Sequence, residues 1–388
     1  MEVTTSDSEK KPLLENTCPQ KVDNDLKLGV PKPLALFLCI SVVLFQFISF
    51  ILSMYVMNQY SYQAYMKQRY PNSTLHSTGN QSTCSVNTNS TEYKQQVVVQ
   101  KLTSEWNIYC ALVSNVPGIL ITVNLASFSD VYGRKSFFLA PLIGTFLKNA
   151  LCAIGIYFNF NIAYFIIFYA VEGCTGTWVS TLSMVYCYIA DLTEPGKPRT
   201  IVIGLLELGI GTGAFVSTTL SGYLIKWTDG FFYPLVASVS AVVLALMVVM
   251  CLLPESLPQS KRHNKVSIVQ NFVRVTECYR SNFSPLAKPW VFITLIVLFI
   301  TSGFGNLGRL QVETLYQLNS PFCWDSVRIG WYGALRLGML SAGGLAIIKM
   351  FHCFTTDEYI ALAGCVTTVA SCVMTGLANT DSMLYIGT

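Results

Sequence analysis

The chain has 388 residues, of which 52% are hydrophobic and only 12% charged. A soluble globular chain carries about one quarter charged residues, so this balance indicates an integral membrane protein. The net charge of +4 is too small to suggest nucleic acid as a partner and follows from where the cations lie.

A membrane core of roughly 30 Å takes about 20 apolar residues to cross, and about nine such stretches are present. They run over residues 33–57, 106–126, 136–158, 162–189, 200–224, 231–253, 289–311, 329–350 and 359–377, and a tenth begins at Met383. Residues 1–32 form a polar leader containing Lys10, Lys11, Lys21, Lys27 and Lys32. The positive-inside rule holds that leader in the cytoplasm. Its length, and that of the first apolar run, exclude a cleaved signal peptide. Within it, Glu9, Leu13 and Leu14 fit an acidic dileucine address for endosomes or lysosomes.

The segment 58–105 is polar and rich in Ser, Thr and Asn, and reads as an outer loop closing the first crossing. Three N-x-[ST] sequons fall in it, at Asn72, Asn80 and Asn89, as expected of a glycosylated loop. Most of the 13 cysteines lie in spans or on the cytoplasmic side, where thiols stay reduced. Cys84 and Cys323 fall in outer loops. Either they bond and staple the two parts of the protein together, or Cys323 is a packed free thiol.

The first six spans, 33–253, make one half. A basic linker over 254–288, with Lys261, Arg262, Lys265, Arg274, Arg280 and Lys288, is cytoplasmic by the same rule. Residues 289–388 supply part of a second half. Six spans, a basic loop and six more would be the plan of a two-halved transporter with its site between the halves; this chain reads as an all-α membrane bundle with an incomplete second half, a truncated product or short isoform.

Charges within spans are expensive and mark a pathway or a pair. Lys148 and Glu172 reach mid-bilayer on consecutive spans and either neutralise each other or contact substrate. Arg309 and Glu313 are four apart, the spacing of a helix-surface ion pair at the rim. Glu207 sits about two turns above the cytoplasmic end of the fifth span with no local cation. A carboxyl in low dielectric resists ionisation, so Glu207 reads either as a proton carrier or as a protonated group bonded to a neighbouring helix. Arg336, near the midplane of the eighth span, can meet an anionic substrate group or pair with a carboxylate such as Glu207. The three histidines, His76, His263 and His352, lie outside the spans. No metal-ligand cluster, nucleophile triad or phosphate loop is legible, and no cofactor or enzymatic chemistry is called for.

Asp130, Gly133, Arg134 and Lys135 join spans two and three. With Ala126 they resemble the signature G-x-x-x-D-x-x-G-R-K of the major facilitator superfamily, Ala126 replacing the first glycine. The run Leu315 to Gly330, centred on Ser320, Pro321, Cys323, Trp324, Asp325 and Ser326, resembles the loop before span eight in solute carrier family 46, the proton-coupled folate transporter and its relatives. Ile189, Ala190 and Asp191, followed by Arg199, Leu205, Leu206 and Glu207, resemble that family's passage from span four to five. The resemblance implies a cytoplasmic gate at Asp130, Gly133, Arg134 and Lys135, proton coupling at Glu207, and a Cys84–Cys323 pairing. Asn306 stands where the folate carrier has a seventh-span histidine, and Gly176 or Thr177 where it has a fourth-span aspartate; its tenth-span arginine would lie beyond Thr388. These departures point away from folate itself and towards other polar or anionic solutes, such as cyclic dinucleotides or muropeptides.

The expected function is therefore a multi-pass secondary transporter of the plasma or endolysosomal membrane, moving a small organic anion by alternating access, with protons. Candidate substrate contacts are Arg336, Asn306, Glu172 and Lys148. The alternative is a non-transporting membrane protein that regulates a full-length carrier.

Overall fold

The computed structural model describes residues 30–71, 91–194, 197–257, 289–319, 321–343 and 357–387. Asn72, Asn80, Asn89 and Cys84 lie outside these residues, as do nearly all of the leader and most of the linker. Every regular element among the described residues is helical, as bilayer-spanning segments must be when no water is present to satisfy open backbone groups. Among the described residues, six helical stretches are long and apolar enough to cross a membrane, the fourth of them, Ile162–Leu192, being interrupted.

The first crossing, α1, is Lys32–Arg69, and the second, α2, is Thr91–Tyr132. At 1.5 Å per residue, α1 is about 57 Å long, so it stands well clear of a bilayer. Both ends of the segment expected as a loop over 58–105 are thus helical. Beyond Pro33 in its first turn, no glycine or proline interrupts α1 before Pro71, and its Gln, Lys and Arg residues are good helix formers.

The third crossing is α3, Arg134–Tyr157. The fourth, expected to be continuous, is two helices: α4, Phe165–Thr175, and α5, Trp178–Leu192. Gly176 ends α4 at φ 87°, a conformation that glycine adopts at no steric cost, and Thr177 is extended. The interruption lies inside protein, where such backbone is tolerated at membrane depth. A Cβ on Gly118 of α2 would come within 2.9 Å of the Thr177 methyl.

The fifth crossing is α6, Lys197–Thr228. The sixth is α7, Phe232–Met247, which widens into a π-turn over Val248–Leu252. Beyond the linker come α8 (Pro289–Leu318), α9 (Ser326–Gly338), α10 (Asp357–Gly376) and a short α11 (Asp381–Ile386).

Small residues set how the helices meet, as is usual where backbones approach closely in a membrane. Asn149 of α3 donates to Ser49 of α1 at 2.9 Å and to Ser238 of α7 at 2.8 Å, while Ser53 donates back to its carbonyl oxygen at 2.8 Å. This polar clasp is flanked by a buried apolar core that includes Phe138, Leu142, Met184 and Tyr188.

The two parts of the chain meet along α6 and α9. On the side away from the linker the seam is backbone against backbone. A Cβ on Gly222 would clash with the Ser326 carbonyl, and one on Gly330 would lie 2.5 Å from the Thr218 carbonyl oxygen. Ser326 donates to Gln59 of α1 at 2.6 Å and Trp331 to Tyr223 at 3.0 Å. Tyr62 reaches Asn319 at 3.2 Å. Towards the linker side of α6 the seam opens: among the described residues Gly204 meets nothing within 4 Å, and Leu205 and Leu208 are exposed.

Candidate functional site

Arg134 is the centre of the loop between α2 and α3. Gly133, at φ 108°, turns the chain so that Arg134 opens α3. Its guanidinium is nine-tenths buried and meets Asp130 at 2.6 Å, Ser129 at 2.6 Å and Asp191 of α5 at 3.0 Å. Ser256 also donates to Asp191, at 2.9 Å. The first turn of α3 exposes N–H groups that need acceptors. They find Glu255, which follows the sixth crossing: Arg134 N donates to it at 2.7 Å and Lys135 N at 3.2 Å. The Lys135 ammonium donates to the Met250 carbonyl at 2.9 Å, at the end of the same crossing. Asp130, Gly133, Arg134 and Lys135 therefore join four crossings at one end of the first half.

A lysine at position 134 would keep the charge and lose the planar fork. Arg134→Lys is expected to lower stability by about 1.5–3 kcal/mol, the worth of one hydrogen bond to a charged group. Thermal unfolding of the purified protein measures this, and an unchanged midpoint would show that the fork contributes nothing.

Lys148 and Glu172 pair with each other at 3.0 Å, with side chains only 4% and 5% exposed. Thr145 lies 3.2 Å from the same carboxylate and in turn accepts from Gln46 at 3.0 Å. The Lys148 ammonium stands 5.3 Å from the centre of the Tyr169 ring. Of the two readings open in the sequence, mutual neutralisation is the one the structure displays.

Glu207 is exposed on α6. The Tyr186 hydroxyl of α5 donates to it at 2.9 Å, and no cation neutralises it among the described residues. It sits on the open, linker-side stretch of α6 rather than in a dry contact.

Arg336 does not meet Glu207. It forms an ion pair with Glu313 of α8, and Glu313 also holds Arg309 at 3.2 Å. The Tyr332 hydroxyl lies 3.2 Å from the same carboxylate. The Arg309–Glu313 pair, expected at the rim, is part of a buried cluster instead: Arg309 donates onward to Ser371 at 2.7 Å and Thr375 at 2.8 Å on α10. Asn306 lies on α8, three residues before Arg309. Cys323 has a positive φ of 52° and is disulfide-bonded. Among the described residues no group of three His, Cys, Asp or Glu could hold a metal ion.

The sequence reading missed Tyr186, Glu255 and the sharing of Glu313 by two arginines. Only Glu313 carried a signal, a carboxylate within a span, and the i,i+4 rule assigned it to Arg309 alone.

A family model described as the Major Facilitator Superfamily matches residues 34–387. The lysosomal proton-coupled steroid conjugate and bile acid symporter of Gallus gallus is 26% identical over 336 residues, 85% of this chain and 72% of the relative. Its Homo sapiens counterpart is 26% identical over 81% of this chain and 68% of the relative. The proton-coupled folate transporter of Bos taurus is 24% identical over 74% of this chain and 62% of its own length. The crystal structure of the human organic anion transporter MFSD10 superposes with a TM-score of 0.60 at 15% identity, over 92% of this chain and 82% of that one, a likeness of fold. The chain is thus a multi-pass membrane transporter rather than an enzyme, and it belongs to the Major Facilitator Superfamily, among relatives from solute carrier family 46.

Proposed function

We propose that the protein is a secondary active transporter that carries an organic anion together with a proton by alternating access. The observation that carries this reading is Glu207. The carboxylates Glu172 and Glu313 each face a cation, whereas among the described residues Glu207 has only the Tyr186 hydroxyl, and it is exposed on α6. A carboxylate in a span faces a polar pathway by default, and without a fixed cation it is free to take up and release a proton.

The seam fits the same reading. The halves touch through α6 and α9 on one side, and no described residue covers Gly204 of α6 on the other, where Leu205 and Leu208 are exposed. With the leader and linker cytoplasmic, as their lysines and arginines favour, the closed side faces outward and Glu207 looks inward. The Arg134 cluster is then the cytoplasmic gate, and Arg336 and Asn306 are substrate contacts. A Cys84–Cys323 bond and glycans at Asn72, Asn80 and Asn89 belong to the outer face. The relatives' names favour a lysosomal setting and amphipathic anions such as steroid conjugates and bile acids over cyclic dinucleotides or muropeptides.

Uptake of a labelled bile acid by membranes containing the full chain, at acidic and at neutral outside pH, tests the proposal. Wild-type uptake should rise on acidification, and Glu207→Gln should abolish that rise while leaving protein abundance unchanged. Undiminished acid stimulation in Glu207→Gln would defeat the coupling role.

A further inference from the structure

The Arg309–Glu313–Arg336 cluster is not balanced. Two guanidinium groups share one carboxylate, whose side chain is only 4% exposed, so among the described residues the cluster carries one excess positive charge. Unpaired charge in a low-dielectric site is costly, and buried cations are normally paired. Arg309 spends its remaining N–H groups on neutral oxygens of α10 and on the Gly387 carbonyl. Arg336 differs: its one partner among the described residues is Glu313, reached through Nη1. A guanidinium has five donors in a planar fork, so among the described residues its other edge has no acceptor.

Arg336 also lies along the seam between the two parts of the chain. One turn before it, a Cβ on Gly333 would lie 2.6 Å from the Tyr55 hydroxyl of α1. Two residues after it, Gly338 faces Phe215 of α6. From Met339 to Gly343 the helix widens into a π-turn, a local distortion found frequently at functional sites. Two-halved carriers bind their solutes at such an interface.

We infer that Arg336 is the subsite for the anionic group of the transported solute, a carboxylate, sulfate or sulfonate bearing one negative charge, and that Glu313 is the internal anion holding its guanidinium in place between occupants. The solute takes the free edge of the fork, and its single charge brings the cluster to neutrality. Arg309 is a positioning residue: it ties Glu313 to α10 and supplies the second cation that makes the excess. This rests on the transport reading and adds to it the charge of the solute and the group that reads it.

The test is equilibrium binding of tritiated taurocholate, a sulfonate, to the purified full chain, with uptake measured in parallel. Arg336→Gln should weaken binding by about a hundredfold, the scale of removing one partner from a desolvated charge pair. Glu313→Gln keeps the shape and removes the competing charge, so it should tighten binding severalfold; a merely structural carboxylate would weaken it instead. If a glutamine variant does not accumulate, Arg336→Lys decides, because it keeps the charge without the fork and should still weaken binding. An unchanged dissociation constant in the Arg336 variants, or weaker binding in Glu313→Gln, overturns the inference while leaving transport intact. Binding that follows the expected pattern without any uptake upholds the inference and defeats the transport reading.

Discussion

Lys148→Met is expected to cost the fold about 3–5 kcal/mol, the scale for leaving one member of a buried ion pair without its partner. Glu172 is only 5% exposed at the side chain, and the groups left beside it would be Thr145 and the ring of Tyr169. Neither offsets a full charge. Adding Glu172→Gln should restore most of the loss, because removing both charges of a buried pair is often neutral. Thermal unfolding of the two variants in detergent separates the possibilities. A single variant as stable as wild type would mean that the pair does not support the helices around it. A double variant no better than the single would mean that the lysine stem, not its charge, is what matters.

Gly222→Leu is the second large effect expected, and it acts on conformation. A side chain there has no room, since even a Cβ would run into the Ser326 carbonyl and lie 2.9 Å from the Val327 Cα. Backbone on the facing helix cannot rotate aside as a side chain can. Overpacking costs about 1–3 kcal/mol, which corresponds to about a 5- to 150-fold shift between forms with this seam closed and open. Uptake should fall because the closed-seam form is disfavoured. A cysteine placed at Ser326 should label faster with an impermeant maleimide in the Gly222→Leu background. Labelling and uptake both at wild-type rates would show that the seam does not open and close during turnover.

Much of this architecture is legible in the sequence for simple reasons. Apolar length marks the crossings, because a bilayer sets a minimum run, and Asp130, Gly133, Arg134 and Lys135 mark the loop between the second and third because charge is rare elsewhere in these stretches. Asp191 was visible only through family resemblance, being 57 residues from the arginine it holds. The break at Gly176 was not legible. Apolar residues continue on both sides of it, no proline signals it, and glycine within a membrane helix more often serves close packing. Arg336 shows a different limit. Its partner is 23 residues away on another helix, and sequence spacing had already assigned Glu313 to Arg309. A carboxylate accepts from several donors at once, so satisfying a local rule does not exhaust it. Glu207 was legible as a charge within a span, but only the structure places it on an exposed face.

The capping of α3 by Glu255 has a consequence in time. The acceptor for the first N–H groups of this helix lies 121 residues further along the chain, after three more crossings. At a synthesis rate of 5–20 residues per second, it emerges about 6–24 s later than the turn it completes. Until then the start of α3 has only water or lipid headgroups to satisfy its amides, whereas the Asp130–Arg134 contact, four residues apart, forms at once. The first half of the carrier therefore cannot be finished crossing by crossing. The residue that follows its sixth crossing closes the loop between its second and third, and completion of that loop waits on the arrival of the sixth span.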